Sequence, residues 1–173
     1  MRYLHLFLFL LFLSCQPIEF KNIHQKNMSI VDNIAVLTTN RGEIHIQFLT
    51  HKAPNTVLRI KELINNDFYN GIQFHRVISN FVIQAGDPTG TGAGGSGKKL
   101  DAEFNDELHV KGTVAMARLG DDINSADSQF YIALSTLPHL DKNYTVFGKV
   151  VKGIEILEMI QQGDKIISFK LNK

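Results

Sequence analysis

From position 34 onward the chain breaks into short apolar stretches separated by polar and glycine-containing turns. Residues 34–39 (IAVLTT) and 43–49 (EIHIQFL) alternate or run apolar around Asn40-Arg41-Gly42, which predicts a β-hairpin. Pro54 stands where a first helical turn tolerates its missing N–H, and Val57, Ile60, Leu63 and Ile64 follow at helical spacing, so a helix is expected from Pro54 to about Asn66. Further strands are expected at 74–78, 81–84, 112–117, 128–134, 145–150 and 165–169. Residues 153–162 (GIEILEMIQQ) have the periodicity of a second amphipathic helix, ended by Gly163. Many short strands with only two helices predict a mainly β fold, a closed β-barrel rather than a βαβ sheet.

Composition limits the classes without choosing among them. At 173 residues the chain is long enough for one domain, and 44% apolar with 20% charged residues is ordinary for a globular protein. Disordered, collagen-like and polytopic membrane chains are excluded. Eighteen basic against 17 acidic residues give +1, so no basic footprint argues for nucleic acid. One cysteine excludes a disulfide framework and every multi-cysteine metal site.

The first residues read differently. In MRYLHLFLFLLFLSC, Arg2 is the sole charge and residues 6–13 are unbroken apolar. A spanning helix needs about 20 such residues, whereas a basic start, a short apolar run and a small residue make a secretory signal. With Ser14 before Cys15, the arrangement resembles a bacterial lipoprotein signal. That resemblance implies a signal peptide over 1–14, acylation at Cys15, a polar tether over 15–32 and a domain over 33–173. The expected location is the periplasm or cell envelope, with the chain membrane-anchored through Cys15. A plain cleaved signal with an incidental cysteine, or a buried N-terminal helix, are the other readings. Cleavage would remove Arg2 and no acidic residue, moving the balance from +1 to 0.

Several motifs carry no function. Gly92 to Lys98 fits G-x-x-x-x-G-K, but Lys99 stands where a Mg²⁺-holding Ser or Thr is needed and no helical period follows. Gly90, Gly92 and Gly95 fit G-x-G-x-x-G with the same defect. The histidines at 24, 45, 51, 75, 109 and 139 lack ligand-like spacing, and neither H-E-x-x-H nor G-x-S-x-G occurs. No metal and no cofactor is expected.

Residues 74–87, FHRVISNFVIQAGD, are the informative stretch. Arg76 lies among Phe74, Val77, Ile78, Phe81 and Ile83, and a guanidinium near apolar walls needs a partner. Residue types alone leave two readings even: a solvated arginine or one tied to a carboxylate such as Asp87, and a cationic donor at the edge of an apolar pocket. The stretch resembles the signature of cyclophilins, the peptidyl-prolyl cis-trans isomerases. Further similar blocks follow in family order: APNTV and FY before it, then GTGAGGSG, Glu103-Phe104, GTVAMA, SQFYI and LDKNYTVFGKV, together covering about 33–169.

The resemblance implies a closed eight-stranded antiparallel β-barrel capped by two α-helices, with a binding groove on its outer face, acting as a monomer on proline-containing polypeptides. It implies Arg76 as the catalytic arginine, with Phe81, Val82, Tyr131 and Leu140 lining a proline pocket and His139 at its edge. Gln84 and Gln129 would hydrogen-bond the substrate and hold Arg76, and Ala117 and Arg118 would offer backbone contacts to the residue before proline. His75 and Phe130 would have structural roles. Against the best-known pattern, His139 replaces a tryptophan, Tyr131 a phenylalanine, Val82 a methionine, Ala85 a glycine and Tyr144 a common histidine. The loop over 119–127 departs enough that nothing is carried over there. The implied function is X–Pro isomerisation in exported polypeptides during folding. The alternative is a proline-peptide binding or chaperone-like module with negligible turnover, which would tolerate loss of Arg76.

Overall fold

A computed structural model describes residues 33–172. The expected signal segment, Cys15 and the tether lie outside the described residues. Eight strands form one antiparallel sheet: β1 (Ile34–Thr39), β2 (Gly42–Phe48), β3 (Arg76–Ile78), β4 (Val82–Ala85), β5 (Thr113–Met116), β6 (Phe130–Ala133), β7 (Val146–Lys152) and β8 (Ile166–Leu171). Their order across the sheet is β3-β4-β6-β5-β7-β2-β1-β8. Every strand expected from the sequence is present, within a few residues of its expected bounds.

The sheet curls into a half-barrel whose ladder does not close, contrary to the expectation. Strand β3 pairs with β4 and β8 with β1, and these two edge strands make no ladder with each other. The seam is instead crossed by the irregular residues before β3: Gln73 bridges Lys165, Gly71 N–H donates to the Ile166 carbonyl (2.7 Å), and Phe74 N–H to that of Asp164 (2.8 Å).

Among the described residues one α-helix, α1 (Pro54–Asn65), packs on β8 and buries Val57, Ile60, Leu63 and Ile64. Pro54 opens it, and Ala53 provides no side-chain cap. The free N–H groups of Asn55 and Thr56 donate to the Glu103 carboxylate at 2.9 and 2.8 Å, so a distant loop supplies the cap.

The expected second helix over 153–162 is only a 3₁₀ turn, Ile156–Glu158. The i→i+3 bonds from Ile156 to Gly153 and from Met159 to Ile156 set that geometry. Beyond it, the N–H of Gln161 is taken by Asp164 Oδ2 (2.8 Å) and that of Gly163 by the Phe74 carbonyl (3.0 Å). Those bonds draw the chain across the seam before a second α-turn can form. Leu157 and Ile160 alone in this stretch bury apolar side chains fully.

Period-two alternation gives the sheet two buried faces. Ile83, Ala85, Val114, Met116, Phe130, Ile132 and Phe147 point into the barrel, filling it with side chains. Val82, Tyr131, Ala133, Ala115 and Val146 point outward, yet they too are buried. The cover over this outer face is the segment around Leu137, Leu140 and Tyr144, including the 3₁₀ turn Pro138–Leu140. Sheet and cover leave a groove between them.

Candidate active site

The groove is built by register. In the β3–β4–β6 ladder Arg76 lies opposite Gln84, and Gln84 opposite Tyr131, so all three emerge on the outer face in one row. The next row holds Val82 and Ala133. Phe81 belongs to the β3–β4 turn, where Asn80 takes a left-handed backbone (φ 58°) that asparagine tolerates better than most residues.

A cavity of about 160 Å³ opens at this place, lined by Arg76, Phe81, Val82, Gln84, Ala117, Arg118, Tyr131, Leu140 and Tyr144. Eight of the ten groove residues expected from the sequence therefore meet around one hollow, with Phe81, Val82 and Leu140 among its apolar walls and Arg76, Gln84 and Arg118 among its polar ones. Of the other two, His139 lies at the edge with its ring stacked on Phe81 (centroids 5.9 Å, 9° between planes). Gln129 lines an adjoining cavity of about 420 Å³ with Gly92, Gly94, Gly95 and Lys99, and both cavities share Gln84, Ala117 and Arg118.

Arg76 is exposed, and its guanidinium sits 5.5 Å from the centroid of Phe81. Its partner is not Asp87: Nη1 donates to Gln84 Oε1 at 3.2 Å. Gln84 Nε2 in turn donates to Gln129 Oε1 (2.9 Å), and Gln129 Nε2 to the carbonyls of Gly92 (2.9 Å) and Gly94 (2.8 Å). An amide relay thus runs from the glycine loop to the arginine. Gln129 reaches Arg76 through Gln84 rather than directly.

Two carboxylates shape that loop. Asp87 is almost fully buried and accepts from Thr89 N (2.7 Å), Thr89 Oγ1 (2.8 Å), Gly92 N (2.6 Å) and Gly94 N (3.1 Å). Burial pushes the Asp87 carboxyl up, but these donors outweigh it and hold it well below the usual carboxylate range. Asp127 accepts from the N–H groups of Ser96 and Gly97. The amides that a phosphate would need in a P-loop are thus occupied by the protein's own carboxylates.

Arg118 is fixed by carbonyls, donating to Asn143 O (3.0 Å), Leu119 O (2.7 Å) and Gly120 O (2.9 Å), with its guanidinium 4.8 Å from the Tyr144 ring. Tyr131 is buried, which pushes its phenol far up, so it is a neutral hydroxyl. Sequence reasoning did not place Tyr144 in the wall, nor did it single out His109, whose Nε2 lies 2.8 Å from the Tyr131 hydroxyl. No period could have found His109, because residues 101–112 form no regular element. His75 packs beside Gly92, and burial lowers its pKa.

Known proteins resemble the chain over most of its described residues. The family model "Cyclophilin type peptidyl-prolyl cis-trans isomerase/CLD" matches residues 34–169. A peptidyl-prolyl cis-trans isomerase of Synechococcus elongatus is 42% identical over 139 residues, covering 79% of this chain and 94% of the relative. One from Helicobacter pylori is 42% identical over 138 residues, covering 78% and 83%. A Cryptosporidium parvum cyclophilin-type isomerase, solved in the presence of the dipeptide Ala-Pro, superposes with a TM-score of 0.76 at 29% identity, covering 81% of this chain and 99% of that one. The chain belongs to the cyclophilin-type peptidyl-prolyl cis-trans isomerases, and its activity is the interconversion of cis and trans X–Pro peptide bonds.

Proposed function

We propose that Arg76 is the catalytic residue of this isomerase and that the hollow formed by Phe81, Val82, Tyr131 and Leu140 grips the proline ring. An uncatalysed X–Pro bond turns over in tens to hundreds of seconds, because rotation breaks amide resonance. No covalent bond is exchanged, so neither nucleophile nor cofactor is required. In the twisted transition state the proline nitrogen pyramidalises and gains a lone pair that the planar amide lacks. A donor aimed there stabilises the transition state more than the ground state. Arginine suits the role because it stays charged and offers several fixed donors.

The observation that carries this reading is the position of Arg76 at the rim of an apolar hollow, held by an uncharged amide rather than a carboxylate. A carboxylate partner would neutralise the cation; Gln84 orients it and leaves its charge available. The hollow itself removes water, which favours the planar, polar amide. An acceleration of about 10⁵-fold corresponds to about 7 kcal/mol, within reach of one charge-assisted hydrogen bond combined with desolvation and positioning.

In this reading Gln84 and Gln129 also bond substrate, and the backbone of Ala117 and Arg118 meets the residue before proline. The substrates are exported polypeptides. The chain acts as a monomer at the cell envelope, tethered through an acylated Cys15 by residues 16–32. An X–Pro peptide assay with Arg76→Ala alongside tests the site. Turnover is expected to fall at least about a hundredfold in a folded variant. Retained turnover would overturn the role of Arg76, and a wild-type domain that binds without turnover would favour a binding module. Labelling with a fatty-acid analogue tests the anchor: Cys15→Ser should abolish incorporation, and incorporation that persists would overturn it.

A further inference from the structure

His109 is completely enclosed, with 0% of its surface exposed, and both ring nitrogens are engaged. Nδ1 lies 2.9 Å from Asp141 Oδ1 and Nε2 lies 2.8 Å from the Tyr131 hydroxyl. The His109 backbone N–H donates to the same Asp141 oxygen (2.7 Å), and its carbonyl accepts the N–H of Leu137 (2.8 Å). The bonds from the His109 backbone N–H and ring hold the Asp141 carboxyl below its ordinary range, so it is an ionised acceptor at neutral pH. A carboxylate oxygen can only accept, so Nδ1 carries a hydrogen toward Asp141 and Nε2 faces the Tyr131 hydroxyl. Asp141, His109 and Tyr131 form one hydrogen-bonded chain.

This chain joins two sides of the groove. Tyr131 stands on β6 and lines the hollow, while Asp141 directly follows Leu140 in the covering segment. The Tyr144 ring meets both Tyr131 (centroids 5.7 Å, 85°) and His109 (6.4 Å, 79°) edge-on. His109 itself does not line the hollow.

We propose that His109 is a positioning residue for isomerisation, acting through the Tyr131 hydroxyl to fix the ring that floors the hollow. The inference rests on the reading of that hollow as the proline site. A tyrosine hydroxyl deprived of His109 must find another partner, because leaving it buried and unpaired is unfavourable. The space open to it is the hollow, where it would tilt the floor and draw in water. Both effects weaken the grip on a proline ring equally in the ground and transition states. Such a change raises KM and leaves kcat unaltered.

The test is steady-state isomerisation of an X–Pro peptide by the full chain, with KM and kcat determined separately and melting temperature measured alongside. His109→Asn places an amide near Nδ1, keeping Asp141 engaged, but has nothing to reach Tyr131. It is expected to raise KM about fivefold at unchanged kcat. His109→Gln, whose amide extends to the place of Nε2, should return KM to within about twofold of the native value. In a Tyr131→Phe background His109→Asn should add nothing further, since the hydroxyl it acts through is gone. An unchanged KM with kcat and melting temperature falling together would overturn the proposal in favour of a purely structural role. So would an undiminished KM effect in the Tyr131→Phe background. Should His109→Asn fail to fold, His109→Leu, apolar and of similar size, decides: a raised KM at unchanged kcat is expected, and an unchanged KM overturns the proposal. The site reading fails separately, through an Arg76→Ala variant that still turns over.

Discussion

Gln84 and Gln129 meet amide to amide, with Gln84 Nε2 donating to Gln129 Oε1 at 2.9 Å, and the direction of that bond is set from one end. Gln129 must turn its Nε2 toward the carbonyls of Gly92 and Gly94, which can only accept. Its oxygen therefore faces Gln84, whose own oxygen is left for Arg76. The orientation of the arginine is thereby written in the backbone of the glycine loop.

Reversing that polarity should be worse than deleting it. Gln129→Ala removes one link and lets Gln84 rotate, and kcat/KM for an X–Pro peptide should fall about tenfold. Gln129→Glu opposes a carboxylate to two carbonyls, so it must swing away and take the Gln84 amide with it. A larger loss than in the alanine variant is expected. Equal or smaller loss in the glutamate variant would show that the relay direction is irrelevant.

Asp87 stands one step further back. Its carboxylate collects the N–H groups of Thr89, Gly92 and Gly94, and so fixes the two carbonyls that Gln129 uses. Asp87→Ala should destabilise the protein by about 2–4 kcal/mol, because several buried donors lose their acceptor. Amide hydrogen exchange at Gly92 and Gly94 should accelerate well beyond the change in global stability. Exchange that tracks global unfolding alone would show that the loop holds its shape without Asp87.

Gly86 shows why glycine is required immediately before Asp87. Its φ of +97° is a conformation that side chains disfavour, and a Cβ there would press into the Ser128 carbonyl and stand 2.9 Å from Gln129 Cα. That carbonyl already accepts the buried Tyr69 hydroxyl at 3.1 Å, so it cannot easily retreat. Gly86→Ala should reduce stability by about 2–4 kcal/mol and lower kcat/KM by displacing Gln129. Denaturant midpoint and peptide turnover read the two effects. A variant as stable as wild type would mean that the strand pair can shift at no cost.

What the sequence made legible follows from where the information is local. Strands β1 and β2 and helix α1 are written in hydrophobic period and turn residues, and Arg76, Phe81 and Gln84 sit within nine residues of one another. The 3₁₀ turn at Ile156–Glu158 was illegible because the periodicity is helical, and only tertiary bonds to Asp164 and Phe74 break it. The open seam was hidden for the same reason, since it depends on contacts between residues 71–74 and 164–166. His109 was unreadable because its partners lie 22 and 32 positions away. Tyr144 emerged in the sequence only as an unusual substitution, and its place in the wall needed the covering segment.

The seam also carries an acid-sensitive fastening. Asp164 receives Arg41 through Nε (2.8 Å) and Nη2 (3.1 Å), Asn40 through Nδ2 (2.7 Å) and the backbone N–H of Gln161 (2.8 Å), tying the β1–β2 turn to the entry of β8. The hydrogen bond from Arg41 is the chief cause that lowers the Asp164 carboxyl from 3.8 to about 2. A carboxyl whose pKa is lower folded than unfolded adds stability that is complete above the unfolded value and disappears as pH falls through the folded one. The fastening should therefore be intact above about pH 4 and weaken toward about pH 2. Asp164→Asn should be less stable than wild type at pH 7, and the difference in urea midpoint should shrink between those two pH values. Taking the difference between the proteins cancels the contributions of the other carboxyls whose pKa is lowered, such as Asp87 and Asp141. A gap that stays constant from pH 7 to pH 2 would mean that Asp164 holds the seam by hydrogen bonds an asparagine also loses, and that its charge contributes nothing.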